Sequence, residues 1–98
     1  GLPTPQYIAL HQNSPNPFNS VTTISYSLPV EADVNVSVFG ITGALVATVV
    51  DARQGAGERK ELFDGRMFSS GAYFYRLTAR MPGSNIMYRQ TRKLLLLR

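Results

Sequence analysis

Val34, Val36 and Val38 stand at every second position, with Asn35 and Ser37 between them. An L-amino-acid chain places successive side chains on opposite faces only when it is extended, so this spacing predicts a half-buried β-strand. The same alternation recurs at Ile24, Tyr26 and Leu28 against Thr23, Ser25 and Ser27, and ends at Pro29, which has no N–H for a ladder. It returns at Tyr73, Tyr75, Leu77 and Ala79, which share one face, while Phe74, Arg76, Thr78 and Arg80 share the other. No window sustains a 3.6-residue apolar period.

Turn chemistry separates these runs. Gly40-Ile41-Thr42-Gly43 supplies two permissive residues, Gly40 and Gly43, enough to reverse the chain into an almost wholly apolar run from Ala44 to Val50. Because Leu45 and Val46 would face opposite ways, that run is expected to be central or covered on both sides. Ala52 to Gly57 reads as a loop hinged at Gly55 and Gly57, followed by a polar strand, Glu58 to Asp64, anchored by Leu62 and Phe63. Asp64-Gly65 and Ser69-Ser70-Gly71 are further turns, and Met81 to Asn85 is a hairpin loop before a last strand from about Ile86 to Leu97. Six or seven short strands at this spacing predict an all-β fold, an immunoglobulin-like antiparallel sandwich of about seven strands. With 98 residues there is space for one such core, expected over 10–98, after a Pro-rich linker at 1–9.

Few chemistries fit what is left. The chain has no Cys, hence no disulfide framework and no thiolate. His11 is the only histidine; no nucleophile elbow accompanies it and no carboxylate partner is evident, so the chain reads as non-catalytic, without a cofactor. Asp51 and Asp64 at loop ends, or Glu31 with Asp33, could contribute to a calcium site, but carboxylates beside turns more often bond backbone N–H groups, and no metal is expected. The four-leucine run at 94–97 is far below the ~20 residues of a membrane helix, which argues against direct insertion.

Charge is unevenly distributed. All six acids lie at or before Asp64, whereas Arg66, Arg76, Arg80, Arg89, Arg92, Lys93 and Arg98 follow it with no acid among them. Such asymmetry suggests one face or edge offered to an anionic or polar partner. Nucleic acid is a poor candidate, because no binding motif accompanies the cations and the Tyr73–Tyr75 face reads as core. Exposed Tyr7, Phe39 or Phe74 would suit the alternative of a structural or carbohydrate-binding accessory module.

Two segments are more particular. Gln12-Asn13-Ser14-Pro15-Asn16-Pro17-Phe18-Asn19 should make a stiff, self-bonded loop, with Phe18 plugging one end of the sandwich. Arg92-Lys93-Leu94-Leu95-Leu96-Leu97-Arg98 is either an integral strand or an exposed edge; an exposed edge could accept a partner by strand addition or pair two copies.

With Thr22 to Pro29, Val34 to Phe39, the turn glycines Gly43, Gly57 and Gly71, and Ser70 to Leu77, these blocks resemble the type IX secretion C-terminal sorting domain family (type A sorting signals) from Leu10 to Arg98. Gly40 replaces a frequent acid of that family, and Arg98 a frequent final Lys. The resemblance implies a non-catalytic module covalently part of a larger cargo. That cargo reaches the periplasm by an ordinary signal and crosses the outer membrane for release or surface attachment. The implied partners are translocon, shuttle and sortase proteins, and Arg92 to Arg98 are the residues expected to meet them.

Overall fold

The alternating runs form seven strands in a computed structural model that describes residues 7–98. They are β1 (Ala9–Leu10), β2 (Val21–Leu28), β3 (Ala32–Phe39), β4 (Leu45–Gln54), β5 (Gly57–Asp64), β6 (Gly71–Arg80) and β7 (Met87–Leu96). All neighbours are antiparallel, in a three-stranded sheet β1-β2-β5 and a four-stranded sheet β4-β3-β6-β7. The chain changes sheets between β2 and β3, β4 and β5, and β5 and β6, which is the crossing pattern of an immunoglobulin-like sandwich. Of the expected linker 1–9, residues 1–6 lie outside the described residues, and Ala9 already pairs with Ser27.

The core is assembled from the inward set of each strand. Ile24, Tyr26 and Leu28 from β2 meet Val34, Val36 and Val38 from β3, Tyr75, Leu77 and Ala79 from β6, and Leu94 and Leu96 from β7, all at most 2% exposed. Each fully buried aliphatic side chain contributes about 1.5–3 kcal/mol, so these four strands supply most of the apolar driving force.

β4 differs from the sequence expectation. It is an edge strand, and only Val50 of its apolar run is fully buried. The reason lies in two register shifts. Val36 opposes Val50 and Ser37 opposes Thr48, which leaves Val49 extra; Val38 opposes Ala47 and Phe39 opposes Leu45, which leaves Val46 extra. Each extra residue reverses the parity of the strand. The doublets Val46–Ala47 and Val49–Val50 therefore pack on one face, and a continuous apolar run serves a strand covered on one side only.

The expected loop at 52–57 is also shorter. Ala52, Arg53 and Gln54 remain in the ladder opposite Val34, Asp33 and Ala32, and Arg53 Nε lies 2.9 Å from Asp33 Oδ1. On β5 only Phe63 is an inward anchor; Leu62 is 71% exposed, because it pairs with outward-facing Thr23. At the β3–β4 turn Gly43 has φ +91°, where a Cβ would be strained, and its N–H donates to Gly40 C=O at 2.9 Å.

Candidate functional site

The two distinctive segments of the sequence meet in space. Phe18 N–H donates to Leu95 C=O at 3.0 Å and Leu97 N–H donates to Phe18 C=O at 2.9 Å, a short parallel bridge on the outer edge of β7. Asn16 Oδ1 accepts from Leu95 N–H at 3.0 Å, and Gln12 Nε2 donates to Lys93 C=O at 2.8 Å. The loop thus caps four main-chain groups turned away from β6: Lys93 C=O, both groups of Leu95, and Leu97 N–H.

The loop is braced from within. Asn13, 2% exposed, donates through Nδ2 to Thr22 Oγ1 (3.0 Å) and Pro15 C=O (3.2 Å), and Thr22 Oγ1 donates to the same carbonyl at 2.8 Å. Tyr75 joins it to the four-stranded sheet: its hydroxyl accepts from Asn13 N–H at 2.8 Å and donates to His11 C=O at 2.6 Å. Burial raises the Tyr75 pKa above the ordinary tyrosine value, keeping the hydroxyl protonated for that second bond. Phe18, 3% exposed, stands edge-on to Phe63 at 6.1 Å and packs on Gly65, where a Cβ would come within 3.0 Å of Phe18 Cε2. Gly71 opens β6 directly opposite Leu96, whereas Gly43 and Gly57 lie at other turns.

The tail residues divide by role. Leu94 and Leu96 are fully buried in the core. Arg92 Nε donates to Leu10 C=O at 2.6 Å, and Gln90 Oε1 accepts from Leu10 N–H at 2.9 Å, so two side chains of β7 satisfy β1 across the seam between the sheets. The Arg98 guanidinium donates to Gly65 C=O, and its N–H donates to Ser70 Oγ at 3.1 Å. Lys93 is exposed, Leu95 half-buried and Leu97 53% exposed. Sequence reasoning placed Gln12 in the loop and Gly65 in a turn without foreseeing their contacts to Lys93 and Phe18, and gave Gln90 no role; the Gln12-Asn13 amide pair opening the Pro/Asn block was the available signal for the first of these.

The outer face of the four-stranded sheet is ordered in rows across the strands: Leu45-Phe39-Phe74-Lys93, Thr48-Ser37-Arg76-Thr91, Asp51-Asn35-Thr78-Arg89 and Arg53-Asp33-Arg80-Met87. Arg76 lies 4.8 Å over the Phe39 ring, so that aromatic is covered by a cation, and Phe74 is half-buried; Tyr7 is 75% exposed. Asp33 is engaged by Arg53 and, at 3.9 Å, by Arg80. By contrast, the rows of the three-stranded sheet, Ser27-Glu58, Ser25-Lys60, Thr23-Leu62 and Val21-Asp64, carry mixed charge.

His11 does have partners, contrary to the sequence expectation. Its Nε2 lies 3.0 Å from Ser27 Oγ and 3.6 Å from Glu58 Oε2, while Ser27 Oγ donates to Glu58 Oε1 at 2.7 Å. A carboxylate only accepts, so the single serine proton points to Glu58 and His11 Nε2 must donate to Ser27. That polarity is the reverse of what activates a serine nucleophile. Asp64 is held to a pKa of about 2, chiefly by hydrogen bonds from the Arg66 side chain and then from its N–H. Among the described residues no group of three or more His, Cys, Asp or Glu could hold a metal ion.

The family model for the secretion system C-terminal sorting domain matches residues 14–87, from the bridge residue Ser14 to the first residue of β7. The chain belongs to this family. It is a type IX secretion sorting signal on a β-sandwich, and its destination is the cell surface or the extracellular space. The matched span takes in Pro15, Asn16, Pro17, Phe18 and Asn19, of which Asn16 and Phe18 bond the β7 edge, and all of β2 to β6. No curated protein and no solved structure matches the chain.

Proposed function

We propose that this sorting domain is the address of a larger exported cargo, recognised in its folded form by the outer-membrane translocon and its shuttle after the cargo has entered the periplasm. A sortase acting near the domain would then release the cargo or attach it to the surface. The observation that carries this reading is the family match over residues 14–87. In the tail, the side chains with surface to offer are Lys93, Leu95, Leu97 and the solvent-facing part of Arg98, whereas Arg92 is committed to Leu10. Cations at the rim of a contact orient a partner and speed its approach, which suits an address read in transit.

The test is export of a periplasmic reporter fused ahead of residues 1–98 in a bacterium with a working type IX apparatus. The reporter should appear outside the cell. Lys93→Glu combined with Leu97→Asp should lower export about tenfold, equivalent to about 1.4 kcal/mol of recognition, with the melting temperature of the isolated domain unchanged. Retention of the unaltered fusion in the periplasm, with the domain folded, overturns the address reading. Undiminished export of the double variant removes the tail from it.

A further inference from the structure

We propose that the open half of the β7 edge, Met87 to Thr91, receives an extended acidic segment of a partner protein as an added strand.

Along β7, odd-numbered residues turn their N–H and C=O groups away from β6; the bonds made by Lys93 C=O, by both groups of Leu95 and by Leu97 N–H demonstrate it. Antiparallel pairing is regular from Met87 to Leu96, so the same parity sends the groups of Arg89 and Thr91 outward. There the clasp has ended. Both residues are exposed, and among the described residues nothing bonds their outward main-chain groups. Such a segment is a template for another strand.

The other sheet edges differ. β4 is broken by two register shifts, and β5 carries both signs of charge at Glu58, Arg59, Lys60 and Glu61. β1 is two residues long, and the outward groups of Leu10 are already taken by Gln90 and Arg92, which leaves the Met87–Thr91 half of β7 as the one open edge among the described residues that is both regular and free of acids. A strand laid beside it would extend the outer rows next to Arg89 and Lys93, one strand from Arg76, and none of these three cations makes an ion pair with a described residue. Carboxylates at alternate positions of the added strand would meet them, while its main chain would complete the ladder. The open ladder is what selects a polypeptide: a nucleic acid or a polysaccharide could use the cations but not the regular row of main-chain donors and acceptors.

The inference rests on the reading that this domain meets protein machinery, but its test is separate from export. The 98-residue chain is titrated with a synthetic peptide of about eight residues, a common strand length, alternating Glu with Val and Thr, and with its Gln counterpart. Binding is followed by amide hydrogen exchange. The Glu peptide should slow exchange at Arg89 and Thr91 without changing Leu95 or Leu97, and should bind about tenfold more tightly than the Gln peptide at low salt. Thr91→Pro, which deletes an outward N–H and no main-chain bond to β6 (only the exposed Arg76 Nε to Thr91 Oγ1 contact at 3.3 Å goes with it), and Arg89→Glu should each weaken the Glu peptide about tenfold, and Arg89→Glu should do so without lowering the melting temperature. Equal binding of the two peptides, no binding at millimolar peptide, protection appearing on β4 or β5, or amides of Arg89 and Thr91 already protected in the free chain by residues 1–6 or a second copy would each overturn the proposal. Export of the unaltered reporter with no peptide binding would sink this inference alone, and retention of the reporter would sink the address reading alone.

Discussion

The two halves of β7 share one backbone geometry and differ in what meets their outer edge. From Lys93 to Leu97, Gln12, Asn16 and Phe18 occupy every outward group for which a bond is formed, and Leu94 and Leu96 fill the core behind them. From Met87 to Thr91 no such cover exists among the described residues, and the side chains turned inward, Tyr88 and Gln90, are only half-buried. The difference teaches how this fold manages a sheet edge. Side-chain amides and a short parallel bridge close one half; along the open half the exposed side chains are Met87, Arg89 and Thr91, with no acid among them.

The sharpest way to break the contrast is Phe18→Ala. It removes the ring between Phe63, Gly65 and Leu96 and loosens the bridge, and should cost about 3–5 kcal/mol in urea denaturation, with hydrogen exchange at Leu97 rising first. Alkaline titration should act next. Burial, reinforced by Glu61, pushes Tyr26 up to about 12, and burial raises Tyr75 as well. Because the folded values lie above the ordinary tyrosine value of 10.0, this stabilisation is complete below pH 10.0 and is lost as pH rises through the folded values. Tyr26 alone should account for about 2–3 kcal/mol by pH ~12, and Tyr26→Phe should remove that part of the slope. Asn16→Ala should cost about 0.5–1 kcal/mol, since the Leu95 N–H it releases can find water, and should quicken exchange at Leu95 but not at Thr91. Arg89→Glu should move stability by less than about 0.5 kcal/mol, because its side chain makes no ion pair with a described residue; a larger loss would mean that the open half is structural after all.

Much of this architecture could be read from residue order. β2, β3 and β6 alternate cleanly because one face of each is core and the other is solvent, and a period of two is then unavoidable. β4 could not be read so, since two extra residues reverse its parity and leave doublets that resemble a strand covered on both faces. β1 has two residues and no pattern to find. At the site, the Pro/Asn loop and the leucine tail each stood out, and Phe18 was identifiable as a large apolar residue stranded between prolines and asparagines. Their mutual contact was not legible. It runs from Asn16 to Leu95, 79 positions apart, through a side-chain amide and a handful of main-chain groups that any residue possesses. His11 hid its partners for the same reason, because Ser27 and Glu58 reach it only through strand pairing.

Closing one end of the sandwich by joining residue 16 to residue 95 has a consequence for how the molecule comes into being. A contact between positions 79 apart can form only when both ends of the span are present, and closing so long a loop costs entropy that the rest of the fold must offset. A chain interrupted anywhere before Leu95 keeps Phe18 without its floor and Asn16 without its donor, whatever the rest has achieved. Completion is thereby written into the shape itself: the finished surface exists only when the whole span has arrived.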